Sequence, residues 1–210
     1  MRHLPAILAA LVLAAPAKAD TAGAFDYYVL ALSWTPNWCA AEGDGRRDDR
    51  CRDGAGLGWG LHGLWPQYEK GWPSYCRTTE RDPTRAETAA MGQFMGSSGL
   101  AWHQWQKHGR CSGLSARDYF VTSARALGKV KLPPVFAALD KPVKLPARVV
   151  EEAFLEANPA MTRDMITVTC KDRAVQEVRV CLTRDLVPRR CGADTIRDCT
   201  LTDATMDPPR

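Results

Sequence analysis

Eight cysteines constrain this 210-residue chain more than any other feature. Their spacings are irregular and include no C-x-x-C pair, so a structural zinc site is disfavoured. Ahead of them stands an export-type leader. Arg2 gives it a positive start, Leu4 to Ala15 is a short apolar run, and Ala17-Lys18-Ala19 is a small-x-small cleavage site. Leader and cysteines together predict four disulfides formed in an oxidising compartment, in a mature chain that starts at Asp20 and is exported to the periplasm or secreted. The apolar run is too short to span a bilayer, and no later stretch could span one, so no membrane attachment is expected once the leader is removed. Cys39 and Cys51 bracket a charged, glycine-containing loop and are expected to pair. Among the last four cysteines the nested arrangement is the expectation, Cys181–Cys191 inside Cys170–Cys199, although other connectivities stay compatible with the sequence.

One folded unit is expected over residues 20–210, since this length suits one domain and no interdomain linker or internal repeat interrupts it. Phe25 to Trp34 (FDYYVLALSW) is aromatic and β-branched and reads as a buried first strand ended by Thr35-Pro36-Asn37. Trp59 to Gln67 reads as a short strand that runs into a turn at Pro66. Arg85 to Met95, Leu100 to Cys111, Ser115 to about Leu127 and Ala147 to Ala157 read as helices. Met165 to Cys170 and Ala174 to Thr183 read as a hairpin turning at Lys171-Asp172-Arg173. Strands at both ends with helices between them predict a single α+β domain, a mostly antiparallel sheet with packed helices, stabilised by the disulfides.

The helix at Leu100–Cys111 (LAWHQWQKHGRC) carries the densest chemistry. At 100° per residue, with His103 at zero, Lys107 falls at about 40°, Leu100 at about 60°, Gln104 at about 100° and His108 at about 140°. Trp105 and Trp102 fall at about 200° and 260° on the other side. One face is thus expected to pack and the other to do chemistry, with Gly109 as a glycine stop. Trp34, Trp38, Trp59, Trp102 and Trp105 read as core residues. The pairs Arg46-Arg47 and Arg189-Arg190 read as solvated surface. Leader removal leaves 26 basic against 24 acidic side chains, so any attraction for a polyanion must be local.

After the leader only three histidines remain, His62, His103 and His108. The first is flanked by glycine and the others share the helix, so one site can hold all three. A shared metal is disfavoured, because His103 and His108 are five apart and diverge by about 140°, too wide for a compact chelate. Paired general acid–base catalysis suits them better. Imidazoles exchange protons near neutrality, and a lysine between them supplies positive charge for a phosphoryl transition state. RNA transesterification requires such a set and no metal.

The segments HGLWPQ at His62–Gln67 and HQWQKHGRC at His103–Cys111 resemble the two signature segments of the ribonuclease T2 family. The first strand with its continuation LSWTPNWC and the Cys170–Cys199 region are similar to it too, so the resemblance covers most of the mature chain. It implies an endoribonuclease that cleaves single-stranded RNA through 2′,3′-cyclic phosphates to 3′-phosphates, without cofactor or metal, and a monomer is expected. Carried over position by position, it implies His108 as general base, His62 as general acid, His103 as a phosphate-binding residue and Lys107 as a stabiliser of the pentacoordinate state. Trp65 and Gln67 match the primary base pocket, the tryptophan stacking on the base, and Leu100 matches a contact to the second base. Cys76–Cys111 matches a family disulfide, which stabilises by roughly 4 kcal/mol in the chain-entropy model.

There is one departure. The family usually has Glu where this chain has Gln104, which keeps hydrogen bonding but not the negative charge. That residue motivates a rival reading as a catalytically weakened homologue that binds RNA or a partner. A second rival is a metal-dependent hydrolase built on the three histidines.

Overall fold

The structure, a computed structural model, describes residues 20–210; the leader expected at residues 1–19 lies outside the described residues. Strand β1 (Tyr27–Trp34) and strand β2 (Trp59–Gln67) are joined through a helical turn, α1 (Thr35–Trp38), and a charged loop closed by Cys39–Cys51. Helices α2 (Arg85–Met95), α3 (Ser98–Lys107) and α4 (Ala116–Leu127) follow. After the short turn α5 (Pro134–Ala137) come strand β3 (Val143–Leu145), helix α6 (Ala147–Ala157), strands β4 (Ile166–Lys171) and β5 (Ala174–Leu182), and β6 (Ala204–Met206). Local signals set these boundaries. Thr84 and Glu87 form a capping box at the start of α2, and Gly96 ends it in the left-handed region. Ser97 caps α3 and Ser115 caps α4 through backbone N–H groups three residues on. Asp172 and Arg173 both take positive φ, as a tight β4–β5 turn requires.

The six strands form one α+β sheet in the order β2-β1-β5-β6-β3, with β4 also on β5. Every pairing is antiparallel except β5 with β6. One face carries Leu30, Leu32, Trp34, Leu61 and Leu64 into a large core with Trp105, Tyr119 and Phe154 from the helices. The other carries Tyr27, Val29 and Cys181 into a smaller cluster with Cys191 and Trp65. The last four cysteines bond as Cys170–Cys199 and Cys181–Cys191, the nested arrangement. No helix among the described residues is long and apolar enough to cross a membrane.

Several expectations are corrected. Pro66 is no turn: β2 runs through it, paired with Tyr28, because β2 is a sheet edge and the missing N–H leaves no partner unsatisfied. The alternation along β2 is broken, since Ala31 pairs with Gly63 and Leu32 with Leu61. His62 is the unpaired extra residue of a β-bulge, which aims its side chain out of the regular alternation. Gly109 does not stop α3 by a left-handed turn, as its φ is not positive. It is required for space: a Cβ there would lie 2.5 Å from the Trp105 ring and 2.8 Å from Tyr119. Trp102 is not core but 38% exposed. The buried stripe of α3 is Ala101, Gln104 and Trp105, continued by His108, so two of the residues assigned to a chemical face belong to the packed one.

Candidate active site

Helix α3 and the open face of the sheet enclose a cavity of about 470 Å³. His62, Trp65 and Gln67 enter it from β2, His103, Gln104, Lys107 and His108 from α3 and its cap, and Glu177 and Arg179 from β5. The three histidines and the lysine thus meet in one place. Leu100 does not line this cavity. It lines an adjoining one of about 500 Å³, to which His62 and His103 are common.

The helix is held to the sheet at several points. Cys76–Cys111 ties its far end to the loop after β2, and the Tyr75 N–H donates to the Lys107 carbonyl at 2.9 Å. Tyr119 of α4 donates to the Leu64 carbonyl of β2 at 3.0 Å. Gly63 lets the two walls approach, since a Cβ there would fall 2.1 Å from Gln104 Oε1.

His108 is sealed between these walls, 5% exposed. Its Nδ1 is buried without a partner, so Nε2 is the nitrogen left for the cavity. Burial, and next the charge of Lys107, push its pKa down to about 3. It is a neutral imidazole at any ordinary pH. His103, more open on the same helix, is lowered by burial and by Lys107, with a contribution from His62.

His62 stands in different company. Its Nδ1 is hydrogen-bonded to Glu177 Oε1. The other oxygen of Glu177 accepts from Arg179 Nε at 2.9 Å and Nη2 at 2.7 Å. Burial alone would raise the Glu177 pKa, but the His62 bond and the charges of His62 and Arg179 outweigh it and hold the carboxyl well below its usual range. Trp65 touches both histidines. Its ring stacks on His108 at 5.2 Å between centroids, meets His62 edge-on at 5.3 Å, and carries the Arg179 guanidinium 5.2 Å from its centroid. Its Nε1 donates to Gln104 Oε1 at 2.8 Å. The indole N–H can only donate, which fixes the amide orientation of Gln104, a residue only 1% exposed. Trp65, expected to stack on a base, is half-buried and lines the cavity. Gln67 is buried, its amide donating to the Pro66 carbonyl at 2.9 Å.

Among the lining residues that escaped the sequence reading are Trp72, Glu177 and Arg179. Trp72 is 53% exposed and reaches the cavity from the loop after β2. Its place between Gly71 and Pro73, where no packed element can form, was the available signal. Glu177 and Arg179 are two apart in a strand otherwise rich in valine, so they share one face, and opposite charges on one strand face were the signal there. Among the described residues no group of three or more His, Cys, Asp or Glu is placed to hold a metal ion.

Comparison with known proteins places this geometry in context. The family model described as the ribonuclease T2 family matches residues 25–191. A protein named ribonuclease from Aeromonas hydrophila is 48% identical over 98 residues, which is 47% of this chain and 43% of that protein, so the chain spans less than half the length of that relative. Among solved structures, an RNase-related protein from Calystegia sepium is similar with a TM-score of 0.66 at 20% identity, covering 88% of this chain and 97% of that one. RNase NT in complex with 5′-AMP is similar with a TM-score of 0.63 at 20% identity, covering 89% of this chain and 99% of that one.

Proposed function

Because this chain belongs to the ribonuclease T2 family, we propose that it is an endoribonuclease acting on single-stranded RNA by acid–base transesterification without a metal. The observation that carries the reading is the pair His108 and His62, two imidazoles on one cavity in opposite electrostatic surroundings. Burial holds His108 neutral, and the carboxylate on Nδ1 of His62 leaves its Nε2 for the substrate, which is the basis for assigning the two roles. His108, kept neutral, is the base that takes the ribose 2′-OH proton on Nε2. His62, beside a carboxylate, is the acid that gives its Nε2 proton to the departing 5′-oxygen. Lys107 and His103 supply positive charge to the phosphate as it becomes pentacoordinate. Cyclic phosphate hydrolysis then runs with the two histidines in exchanged roles, water taking the place of the 5′-oxygen.

Nucleotide binding has support in RNase NT, solved with 5′-AMP. Trp65 and Gln67 form the base pocket, and Trp72, exposed on the same cavity, offers a further aromatic surface for a base. Leu100 faces a second nucleotide in the adjoining cavity. The protein acts outside the cytoplasm as a monomer, after loss of residues 1–19.

The test is to incubate the oxidised protein with RNA in excess chelator and identify the product termini. A 2′,3′-cyclic phosphate is the expected first product. Loss of cleavage in chelator, restored by added metal, would turn the site into that of a metal hydrolase. Gln104 favours a second reading as a weakened homologue, and RNA bound but left intact with or without metal would establish it.

A further inference from the structure

Helix α3 carries four polar side chains into the cavity, and none is acidic: His103, Gln104, Lys107 and His108. Two carboxylates line the same cavity from elsewhere. Asp194, in the loop after β5, accepts from the Gly71 N–H. Glu177 alone meets an imidazole. It is 2% exposed, yet both its oxygens are engaged, one by His62 and the other by Arg179. Two guanidinium donors converge on one oxygen and the imidazole takes the other, so the buried carboxylate is held at both ends. Its partner, His62, is the extra residue of a bulge, so no regular strand pairing orients that ring.

We infer that Glu177 is the positioning carboxylate of this site: clamped by Arg179, it holds His62 with Nδ1–H toward itself and Nε2 toward the substrate, and supplies from β5 the negative charge that Gln104 withholds on α3. This rests on the ribonuclease reading for its chemical meaning, though not for its geometry. In the transfer step the Nε2–H bond of His62 breaks, its proton goes to the 5′-oxygen, and the electron pair of the breaking P–O bond leaves with that oxygen. A neutral imidazole remains, its Nδ1–H still on Glu177, which stays ionised throughout. Water then returns a proton to Nε2 as it attacks the cyclic phosphate. Arg179, His103, Lys107 and His108 line the same cavity as His62, and Glu177 is the carboxylate hydrogen-bonded to its ring. A salt bridge that only braced the sheet would do the same for folding and nothing for this proton.

Glu177→Gln separates the two roles, since the amide oxygen can still accept from Nδ1–H but carries no charge. With a dinucleoside monophosphate, kcat at neutral pH is expected to fall about 10- to 100-fold with KM within about twofold. The alkaline limb of the kcat/KM profile is expected to move about one unit toward lower pH, because the acid loses its proton sooner without the carboxylate. A folded variant with unchanged kcat and pH profile would overturn the inference. Imidazole ¹⁵N spectra of the unmodified protein provide a readout that does not depend on the variant folding. Nδ1 of His62 should carry the hydrogen-bonded proton, and a neutral His62 protonated on Nε2 alone would refute the assignment. If the unmodified protein cleaves no RNA, the ribonuclease reading fails while those spectra still decide the role of Glu177.

Discussion

His108 sits on the helix wall, buried, with no carboxylate beside it, and is held neutral by burial and by Lys107. His62 sits on the sheet wall, half-buried at a bulge, with an ionised carboxylate on its Nδ1. One wall surrounds its imidazole with protein and a cation, and the other sets a carboxylate against its imidazole; in the proposed reaction the first is the proton acceptor and the second the donor. Under the proposed function, the same side chain would serve both ends of one reaction.

The strongest test of that contrast is to remove each imidazole. His108→Ala and His62→Ala are each expected to lower kcat by about 10³-fold or more, read from cyclic phosphate formation in chelator. A near-normal rate in either would show that the two walls do not divide the proton transfers.

Acid stability comes next. His108 has a folded pKa of about 3 against 6.5 unfolded. Above pH 6.5 neither state binds its proton and its contribution to stability is complete. Between 6.5 and about 3 only the unfolded state protonates, so stability falls as pH falls, by up to a few kcal/mol. Urea unfolding at pH 7, 5.5 and 4.5 should show this slope, and His108→Asn should flatten it. An equal slope in the variant would mean that the imidazole is not shielded.

Trp72→Ala tests the open rim of the cavity, where a stacked base is worth roughly 1–3 kcal/mol. KM should rise about tenfold with kcat nearly unchanged, and a fall in kcat alone would place Trp72 in the chemistry instead. The smallest effect is expected for Gln104→Glu. A carboxylate beside Trp65 would favour a proton on His108 and move the acid limb of kcat/KM upward by a fraction of a unit, with the fold unchanged. An identical profile would show that position 104 does not reach the base electrostatically.

The two walls also differ in how readable they are. The helix wall lies within a dozen residues, so local spacing delivers His103, Lys107 and His108 with their angular order. It misplaces the boundary of the packed face, because polar type suggested exposure where Gln104 and His108 are in fact buried against the sheet. Trp102 errs in the opposite direction, being apolar in composition and open in place. The sheet wall is assembled from distant segments: His62 and Glu177 are 115 positions apart and meet only because β1 pairs with both β2 and β5. Strict alternation, the only tool available for β2, also hides a bulge, since an extra residue shows itself only against a partner strand. Cys76–Cys111 was legible through family resemblance alone. The pairing of Cys39 with Cys51 and the spans of α2, α4 and α6 followed from local signals, whereas α3 runs Ser98–Lys107 and not Leu100–Cys111.

The bulge has a further meaning. With residue 62 deleted, Leu61 and Gly63 would become neighbours, facing Leu32 and Ala31, which are already neighbours. The ladder between β1 and β2 would then be unbroken. The most regular version of the β1–β2 ladder is therefore one residue shorter and lacks His62. The irregularity is what places an imidazole of β2 in the cavity, and deleting residue 62 would trade that imidazole for an unbroken ladder.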